Sequence, residues 1–226
     1  MADVGTPRSK DQSEASTSAP ALPDATLDEL PMPPTTTSEQ LAYMSRFDVT
    51  TVAINTAMYH NMASADVLES AKGYELLHSQ IIQLEPISPE HNYLAQHLGR
   101  QLDRCVNDDA VVFIQGPLAI DEYSEPQPDI LLLNPPYEQY DHRHPRPEDV
   151  VLVIEVASST LKTDRTLKLQ LYAGANIPEY WIVNLPDKQL ETHSTPDPKR
   201  GQYLETKRYN VGDEASPKPF PDCQLR

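Results

Sequence analysis

The chain has 226 residues and carries 34 acidic against 18 basic side chains, a formal net charge of -16 at pH 7. This charge repels polyanions at long range, which excludes a general nucleic-acid coating protein. A phosphodiester substrate would need a metal ion or a local basic strip to offset the repulsion. Two cysteines are too few for a disulfide framework or for a zinc site built on cysteine. The sequence has neither a secretory signal nor an apolar run long enough to cross a membrane, so we expect a soluble protein in the reducing cytoplasm.

The N-terminal part of the sequence is predicted to be a tail. Residues 1–34 are rich in Ser, Thr, Ala, Asp and Pro and have too few large apolar side chains to close a core, which predicts disorder. Ser38 offers an N-cap for a short helix. We therefore predict a disordered or partly helical tail over residues 1–61 and a single domain over residues 62–226, beginning with a short helix at 65–71.

The first part of this domain reads as a hairpin followed by a long helix. Two short apolar segments flank His78-Ser79-Gln80, which predicts a β-hairpin with an unusual turn that lacks Gly and Asn. Ser88-Pro89 is typical of a helix start, and apolar residues then recur every three or four positions. This periodicity predicts an amphipathic helix with an apolar face of Tyr93, Leu94, Leu98, Leu102 and Cys105.

The rest of the domain is predicted to be a mixed β-sheet with helices packed on its faces. Residues 150–156 form the most apolar run in the chain, which places this strand at the centre of the sheet. Capping hydroxyls before residue 161 and Gly174 after residue 173 delimit a second long helix. The other predicted elements are strands at 111–114, 118–120, 128–133 and 179–184, and a hairpin of 190–193 with 203–209.

Two of the apolar strands each carry one acidic residue. Asp129 enters one strand after Pro128, and Glu155 lies near the end of the central strand. If the strands are neighbours, both acids reach one end of the sheet, where their oxygens could hold a hard cation such as Mg²⁺, which needs only one or two carboxylates. The backbone carbonyl of Val156 is a further ligand by analogy. The alternative is that both acids face solvent or pair with Arg or Lys.

Basic residues close to these acids also have two interpretations. Lys168 follows Asp164 by four residues, the spacing of an ordinary helix ion pair. Together with Lys162 and Arg165 it forms the only cationic stripe near the candidate site, the strip that a polyanionic substrate would need. Glu75 in the hairpin is either a solvated residue or part of the site.

Several short motifs follow one another between Gly73 and about His193. They are Tyr74-Glu75-Leu76, Ser88-Pro89-Glu90-His91, Pro128-Asp129, Glu155-Val156 followed by Ser158-Ser159-Thr160, Asp164 with Lys168 and Tyr172, and Glu179-Tyr180-Trp181-Ile182-Val183. In this order and spacing they resemble the Uma2 family, whose fold belongs to the PD-(D/E)XK restriction-endonuclease-like superfamily. The resemblance implies an α/β (α+β) fold, a restriction-endonuclease-like mixed sheet flanked by helices.

The resemblance also implies a divalent-metal phosphodiesterase site. Asp129 matches the acid after the signature proline, and Glu155 matches the second acid. Ala157 stands where the superfamily usually has its lysine, and Lys168 occupies the place of the lysine that family members supply from the following helix. The implied catalytic residues are therefore Asp129, Glu155 and Lys168, and the implied metal ligands are Asp129, Glu155 and Val156, with Mg²⁺ or Mn²⁺ as the cofactor.

The remaining roles follow from the same comparison and from the charge argument. Glu75 and His91 match family positions and are expected to support the site, and Lys162 and Arg165 are expected to bind the substrate. We expect a metal-dependent endonuclease with DNA as its substrate and with no membrane association. A homodimer is compatible with this class of enzyme. Two alternatives are an inactive nuclease-fold module that binds nucleic acid or a protein, and an acidic interaction protein whose tail does the binding.

Overall fold

The computed structural model describes residues 52–69 and 72–225. The disorder predicted for residues 1–34 and the short helix predicted after Ser38 lie outside these ranges. In the described part of the chain, no helix is both long and apolar enough to span a bilayer. The elements are α1 (Thr56–Ser64), β1 (Tyr74–Leu77), β2 (Gln80–Gln83), α2 (Pro89–Val106), β3 (Val111–Ile114), β4 (Ile130–Leu133), β5 (Val150–Ala157), α3 (Leu161–Thr163), a π-helical turn (Asp164–Lys168), α4 (Leu169–Gly174), β6 (Glu179–Asn184), β7 (Gln189–Asp197) and β8 (Gln202–Asn210).

Six strands form one mixed sheet in the order β3-β4-β5-β6-β7-β8. Only β5 and β6 are parallel, because the helical segment between them carries the chain back across the sheet, and the other neighbours are antiparallel. The predicted mixed sheet and the interior position of β5 are confirmed. The strand predicted at 118–120 is wrong, since the amides of Leu118 and Ala119 bond to the loop carbonyls of Pro126 and Pro145 instead.

The separate hairpin of β1 and β2 is confirmed, including its unusual turn. Both central residues have positive φ, 48° at His78 and 65° at Ser79, as a type I′ turn requires. Neither residue is glycine, so the turn needs outside support. The Ser79 amide donates to the Tyr123 carbonyl at 2.8 Å, and the His78 amide donates to the Ser124 hydroxyl at 3.2 Å. The hairpin is thereby bonded to the loop that leads to β4.

Helix α2 begins as predicted, with the Ser88 side chain capping the His91 amide at 3.2 Å, but its buried face differs from the prediction. The residues that face the sheet are Ala95, Gly99, Leu102 and Val106, whereas Tyr93 is exposed. A Cβ at Gly99 would lie 2.5 Å from Cδ1 of Ile114, so a larger residue at this position would require the Ile114 side chain to shift. Apolar periodicity missed this face because its centre consists of small side chains.

The core lies on both faces of the sheet, as alternation along the strands requires. On β4 and β5, the even-numbered residues Ile130, Leu132, Leu152 and Ile154 face α2 and the C-terminal segment. The odd-numbered residues Leu131, Leu133, Val153 and Ala157 pack on the opposite face against the α4 region. This alternation matters for the site, because residue 155 shares the face of the helical segment between β5 and β6.

Helix α1 packs on the hairpin side of the domain. The Thr56 amide donates to the Glu122 carbonyl at 2.8 Å, the buried Tyr59 hydroxyl donates to the Tyr74 carbonyl at 2.8 Å, and His60 contacts Glu125 at 2.8 Å. The predicted boundary at residue 62 therefore falls inside α1. The helix predicted at 65–71 is wrong for the described residues 65–69, which form turns and bends after α1 ends.

The two cysteines are joined, contrary to the expectation of a chain without disulfide cross-links. Cys105 in α2 and Cys223 near the C-terminus form a disulfide with their Cα atoms 5.3 Å apart. They are separated by 118 residues, so no local pattern links them. The bond holds the C-terminal segment on the sheet, where the Lys218 amide also donates to the buried Glu179 carboxylate at 2.9 Å.

Asp149, just before β5, joins the loop between β4 and β5 into one unit. Its carboxylate accepts two hydrogen bonds from the Arg143 guanidinium and one from the Arg146 amide, and Arg143 also lies over the Tyr140 ring at 5.3 Å. The bonds from Arg143 hold the pKa of Asp149 below its ordinary value of 3.8. This pair therefore contributes stability above that pH, and the contribution is lost as the pH falls through the lowered pKa.

Asp149→Asn should lower the melting temperature at pH 7, because asparagine cannot accept two charge-assisted bonds from Arg143. The difference from wild type should shrink steadily as thermal unfolding is repeated at lower pH, because Asp149 becomes protonated as the pH falls through its lowered pKa. Asp141→Asn, a change at a largely exposed side chain of the same loop, is the control. It should change neither the melting temperature at pH 7 nor the dependence of the melting temperature on pH. A melting difference for Asp149→Asn that does not depend on pH would contradict this assignment.

Candidate active site

The two acids predicted to share a site lie side by side at one end of the sheet. β4 and β5 pair Ile130 with Ile154, so one step further along the ladder Asp129 lies opposite Glu155. The Val156 amide donates to Oδ2 of Asp129 at 2.8 Å, which locks the two strand ends together. Asp129 is 8% exposed and Glu155 is 4% exposed. Strand alternation points both side chains toward the helical segment after β5.

Lys168 comes from that helical segment and contacts Glu155 directly. Its ammonium lies 3.0 Å from Oε1 of Glu155 and 3.2 Å from Oε2 of Glu75, and the residue is 6% exposed. The segment that carries it, Asp164–Lys168, is a π-helical turn, a rare form that is common at functional sites. Lys168 therefore pairs with Glu155 of the sheet and Glu75 of the hairpin. It is not simply the partner of Asp164 in an ordinary helix ion pair.

Glu75 is a buried member of the cluster. It is 2% exposed in β1, where Oε2 accepts from the Gln127 amide at 3.2 Å and from Lys168. Of the two interpretations of Glu75, the solvated hairpin residue is therefore wrong. Its contact with Gln127 also ties the hairpin to the residues just before Asp129.

His91, in the first turn of α2, contacts the other acid. Its Nε2 lies 3.1 Å from Oδ2 of Asp129. The hydrogen bond to Asp129 raises the pKa of His91 against the opposing effect of partial burial. Asp129 Oδ2 thus has two neighbours, the Val156 amide and the imidazole, which hold its carboxylate in one orientation.

Burial dominates the electrostatics of the cluster. Loss of solvation raises the pKa of Glu155 to about 8, although the Lys168 ammonium opposes the shift. Burial alone would lower the pKa of Lys168, but the Glu155, Glu75 and Asp164 carboxylates outweigh it and raise that pKa. Burial therefore opposes the charged form of Glu155, whereas the surrounding carboxylates favour the charged form of Lys168.

Two further members of the cluster, Tyr172 and Asp164, were missed as site residues. Tyr172 is a buried core residue, and its hydroxyl donates to Oε1 of Glu155 at 2.8 Å. Asp164 is 1% exposed, and its Oδ2 has no hydrogen-bond partner among the described residues. Both share the helical spacing of Lys168, four residues apart on either side, and this spacing is the signal that could have identified them.

A cavity of about 770 Å³ opens onto this cluster. Its lining includes His91, Asp129, Glu155, Asp164 and Lys168, and the rest comes mainly from the loop after β2, the start of α2 and the turn after β5. The other lining residues include one lysine, Lys72, whose ammonium pairs with Glu69 at 3.0 Å, and one acid, Glu85. The polar wall residues are Gln83, Ser88, Gln115, Gln127, Ser158, Ser159 and Thr160.

Lys162 and Arg165, the residues predicted to bind the substrate, do not line this cavity. Arg165 donates through Nε to both oxygens of Glu191 at 3.1 Å, contacts it again through Nη2, and lies 3.7 Å from Asp187. Lys162 is exposed at the surface of α3. To bind a substrate phosphate, the Arg165 guanidinium would have to leave the Glu191 carboxylate. A substrate role for Arg165 and Lys162 stays a prediction.

The donor set at the two acids fits Mg²⁺ or Mn²⁺. In the described residues no three His, Cys, Asp or Glu side chains are arranged to hold a metal ion together. Two carboxylates and a backbone carbonyl are nevertheless oxygen donors of the kind that Mg²⁺ prefers, with water and substrate oxygens completing its shell. The raised pKa of Glu155 shows that its charged form lacks solvation, which a cation would supply. Metal binding by Asp129, Glu155 and Val156 stays a prediction.

Comparison with known families decides the relationship that the motifs indicated. Residues 57–226 match the family model described as "Uma2: Putative restriction endonuclease". The chain belongs to the Uma2 family. The match begins within α1, which agrees with the packing of that helix on the domain.

A solved structure shows the same fold as this Uma2 chain. It is the crystal structure of "a putative nuclease belonging to DUF820" from Anabaena variabilis, which is 14% identical and superposes with a TM-score of 0.56 over 70% of this chain and 89% of that one. At this identity the likeness establishes the fold. No relative was found among curated proteins. The restriction-endonuclease-like, mixed α/β fold expected from the sequence is thereby confirmed.

Proposed function

We propose that this Uma2 protein is a metal-dependent endonuclease that hydrolyses phosphodiester bonds in DNA. The single observation that supports this most is the meeting of Asp129, Glu155 and Lys168, from two strands and a helix, on the floor of one cavity. Membership of a family described as restriction endonucleases supports the reaction class. Two acids and one amine in a partly enclosed site are the groups that metal-assisted phosphodiester hydrolysis requires.

The residues of the site would divide the work as follows. Asp129, Glu155 and the Val156 carbonyl would hold Mg²⁺ or Mn²⁺, which when bound polarises a phosphate and lowers the pKa of a bound water. Lys168 would orient the attacking water or stabilise negative charge on the phosphorus oxygens in the transition state. His91 and the Val156 amide keep Asp129 in its orientation, and Glu75 supports the Lys168 ammonium.

The net charge of -16 bears on how such a substrate would bind. A phosphate backbone is repelled at long range, so association would depend on local cations at the cavity mouth and on the metal ion. Among the described residues, Lys72 is the lysine besides Lys168 that lines the cavity, and Lys162 is exposed on α3. Binding should therefore weaken steeply when the divalent ion is removed.

The test is cleavage of supercoiled plasmid, duplex and single-stranded DNA, and RNA of the same sequence. With Mg²⁺ or Mn²⁺, we expect nicked and linear plasmid, and EDTA should abolish the products. Cleavage of RNA alone would contradict the DNA assignment. DNA binding without cleavage at any metal concentration would favour the inactive binding module instead. Homodimerisation and a cytoplasmic location remain further proposals, and analytical ultracentrifugation tests the first.

A further inference from the structure

One contact in the site conflicts with the roles assigned to its partners. Oε1 of Glu155 accepts from the Lys168 ammonium at 3.0 Å and from the Tyr172 hydroxyl at 2.8 Å. The same carboxylate is assigned to the divalent ion. An ammonium this close to a divalent cation is repelled strongly inside a protein, where charges are poorly screened. Lys168 and the cation therefore compete for Glu155, and the ammonium needs another acceptor once the cation binds.

Asp164 has the properties of that acceptor. It is 1% exposed and lines the same cavity, and its Oδ2 has no hydrogen-bond partner in the part of the chain that the structure describes. The Thr160 side chain bonds to this carboxyl group, yet a buried carboxyl oxygen without a hydrogen-bond partner is costly and rare in folded proteins. Asp164 opens the π-helical turn that Lys168 closes, so the two side chains leave the same turn.

We propose that Asp164 is a positioning residue that receives the Lys168 ammonium when Glu155 takes a divalent cation. The inference rests on the proposed metal-dependent function. The lysine stem has four flexible carbons, so the exchange needs only side-chain rotation. Glu75, at 3.2 Å, remains a second partner throughout. Asp164 thereby keeps the ammonium inside the cavity, near the scissile phosphate, after the cation has displaced it from Glu155.

The exchange also accounts for the excess of acids in the site. Asp129 and Glu155 are needed for the cation, and Glu75 supports Lys168 in both arrangements. While Lys168 bonds to Glu155, Asp164 acts on the ammonium only through its charge, at longer range. A buried acid kept without a partner in one arrangement is expected where a second arrangement uses it.

The experiment is a double-mutant cycle read by Mn²⁺ binding in calorimetry, without substrate. Lys168→Met removes the competitor and should tighten Mn²⁺ binding about tenfold, within the range for directly coupled residues. Asp164→Asn removes the acceptor and should weaken binding about tenfold in the wild-type background, but by less than about twofold in the Lys168→Met background. Asp164→Glu should restore most of the affinity. Glu179→Gln, which removes a buried acid outside the cavity, is the charge control: it should leave the Mn²⁺ affinity unchanged, although the melting temperature should fall because a glutamine has one acceptor oxygen for the two donors Trp181 and Lys218.

The outcomes separate this inference from the proposed function. If Asp164→Asn weakens Mn²⁺ binding equally in both backgrounds, the carboxylate acts on the ion itself and the exchange is wrong. Unchanged affinity in Lys168→Met would contradict the competition. A wild-type protein that binds no Mn²⁺ would overturn the proposed function together with this inference. Thermal melting of each variant identifies a loss of binding caused by unfolding, and a crystal structure with Mn²⁺ should place the Lys168 ammonium on Oδ2 of Asp164.

Discussion

Glu155→Gln should reduce Mg²⁺- or Mn²⁺-dependent DNA cleavage about a thousandfold, with a nearly unchanged melting temperature. A metal ion at the reacting phosphate contributes several kcal/mol to the transition state, and each step of about 1.36 kcal/mol corresponds to a factor of ten in rate. Glutamine keeps the shape of the side chain and one oxygen but has no charge with which to hold the ion. Asp129→Asn should have the same effect for the same reason.

The fold should tolerate both changes because each polar partner keeps a bond. The amide carbonyl of a glutamine at position 155 can still accept from Tyr172 and Lys168, and the ammonium retains Glu75 at 3.2 Å. Burial raises the pKa of Glu155, so its charged form is itself costly to bury and its loss carries little penalty. An asparagine at position 129 can accept from the Val156 amide as the aspartate does.

Glu179→Gln is the matched control for cleavage. Glu179 is a buried acid on the strand next to β5, but it bonds to Trp181 and to the Lys218 amide, outside the cavity. Rates of plasmid nicking should be measured at saturating Mn²⁺ for all three variants and the wild type. Wild-type rates in Glu155→Gln or Asp129→Asn would remove the assignment of these acids to catalysis.

Removal of the disulfide should cause the largest loss of stability. Closing a loop between residues 118 positions apart reduces the entropy of the unfolded chain, and the loop-closure relation gives about 5 kcal/mol for that length. Domains of this kind are stable by about 5–15 kcal/mol in total. Cys105→Ala combined with Cys223→Ala should therefore shift the urea midpoint far downward.

The same experiment can be made without mutation. Wild-type protein unfolded in urea with excess reductant should have the same urea midpoint as the double variant. Reductant should not change the urea midpoint of the double variant. Cys105 lies at the end of α2 opposite His91, so DNA cleavage well below the melting temperature should persist in the double variant. Equal urea midpoints in oxidised and reduced wild-type protein would show that the bond does not form or does not stabilise the fold.

The sequence was sufficient to predict most of the sheet and the place of the two acids. Alternation along β4 and β5 is a local property, so it assigns Asp129 and Glu155 to one face as soon as the strands are neighbours. The start of α2 at Ser88 and the hairpin around His78 and Ser79 are also local features and were predicted correctly. The face of α2 was not, because Gly99 gains its importance only from the approach of Ile114.

By itself, the sequence determined the order of the elements, the shared end of the two acidic strands and membership of the family. Only the tertiary structure decided which charges meet: Lys168 with Glu155 and Glu75, and Arg165 with Glu191. It also buries Asp164 with one oxygen that has no hydrogen-bond partner among the described residues. The same holds for the disulfide. Ion pairs and cross-links of this kind join residues far apart in the chain, so their partners depend on how the elements pack, whereas helix caps and strand alternation depend on near neighbours alone.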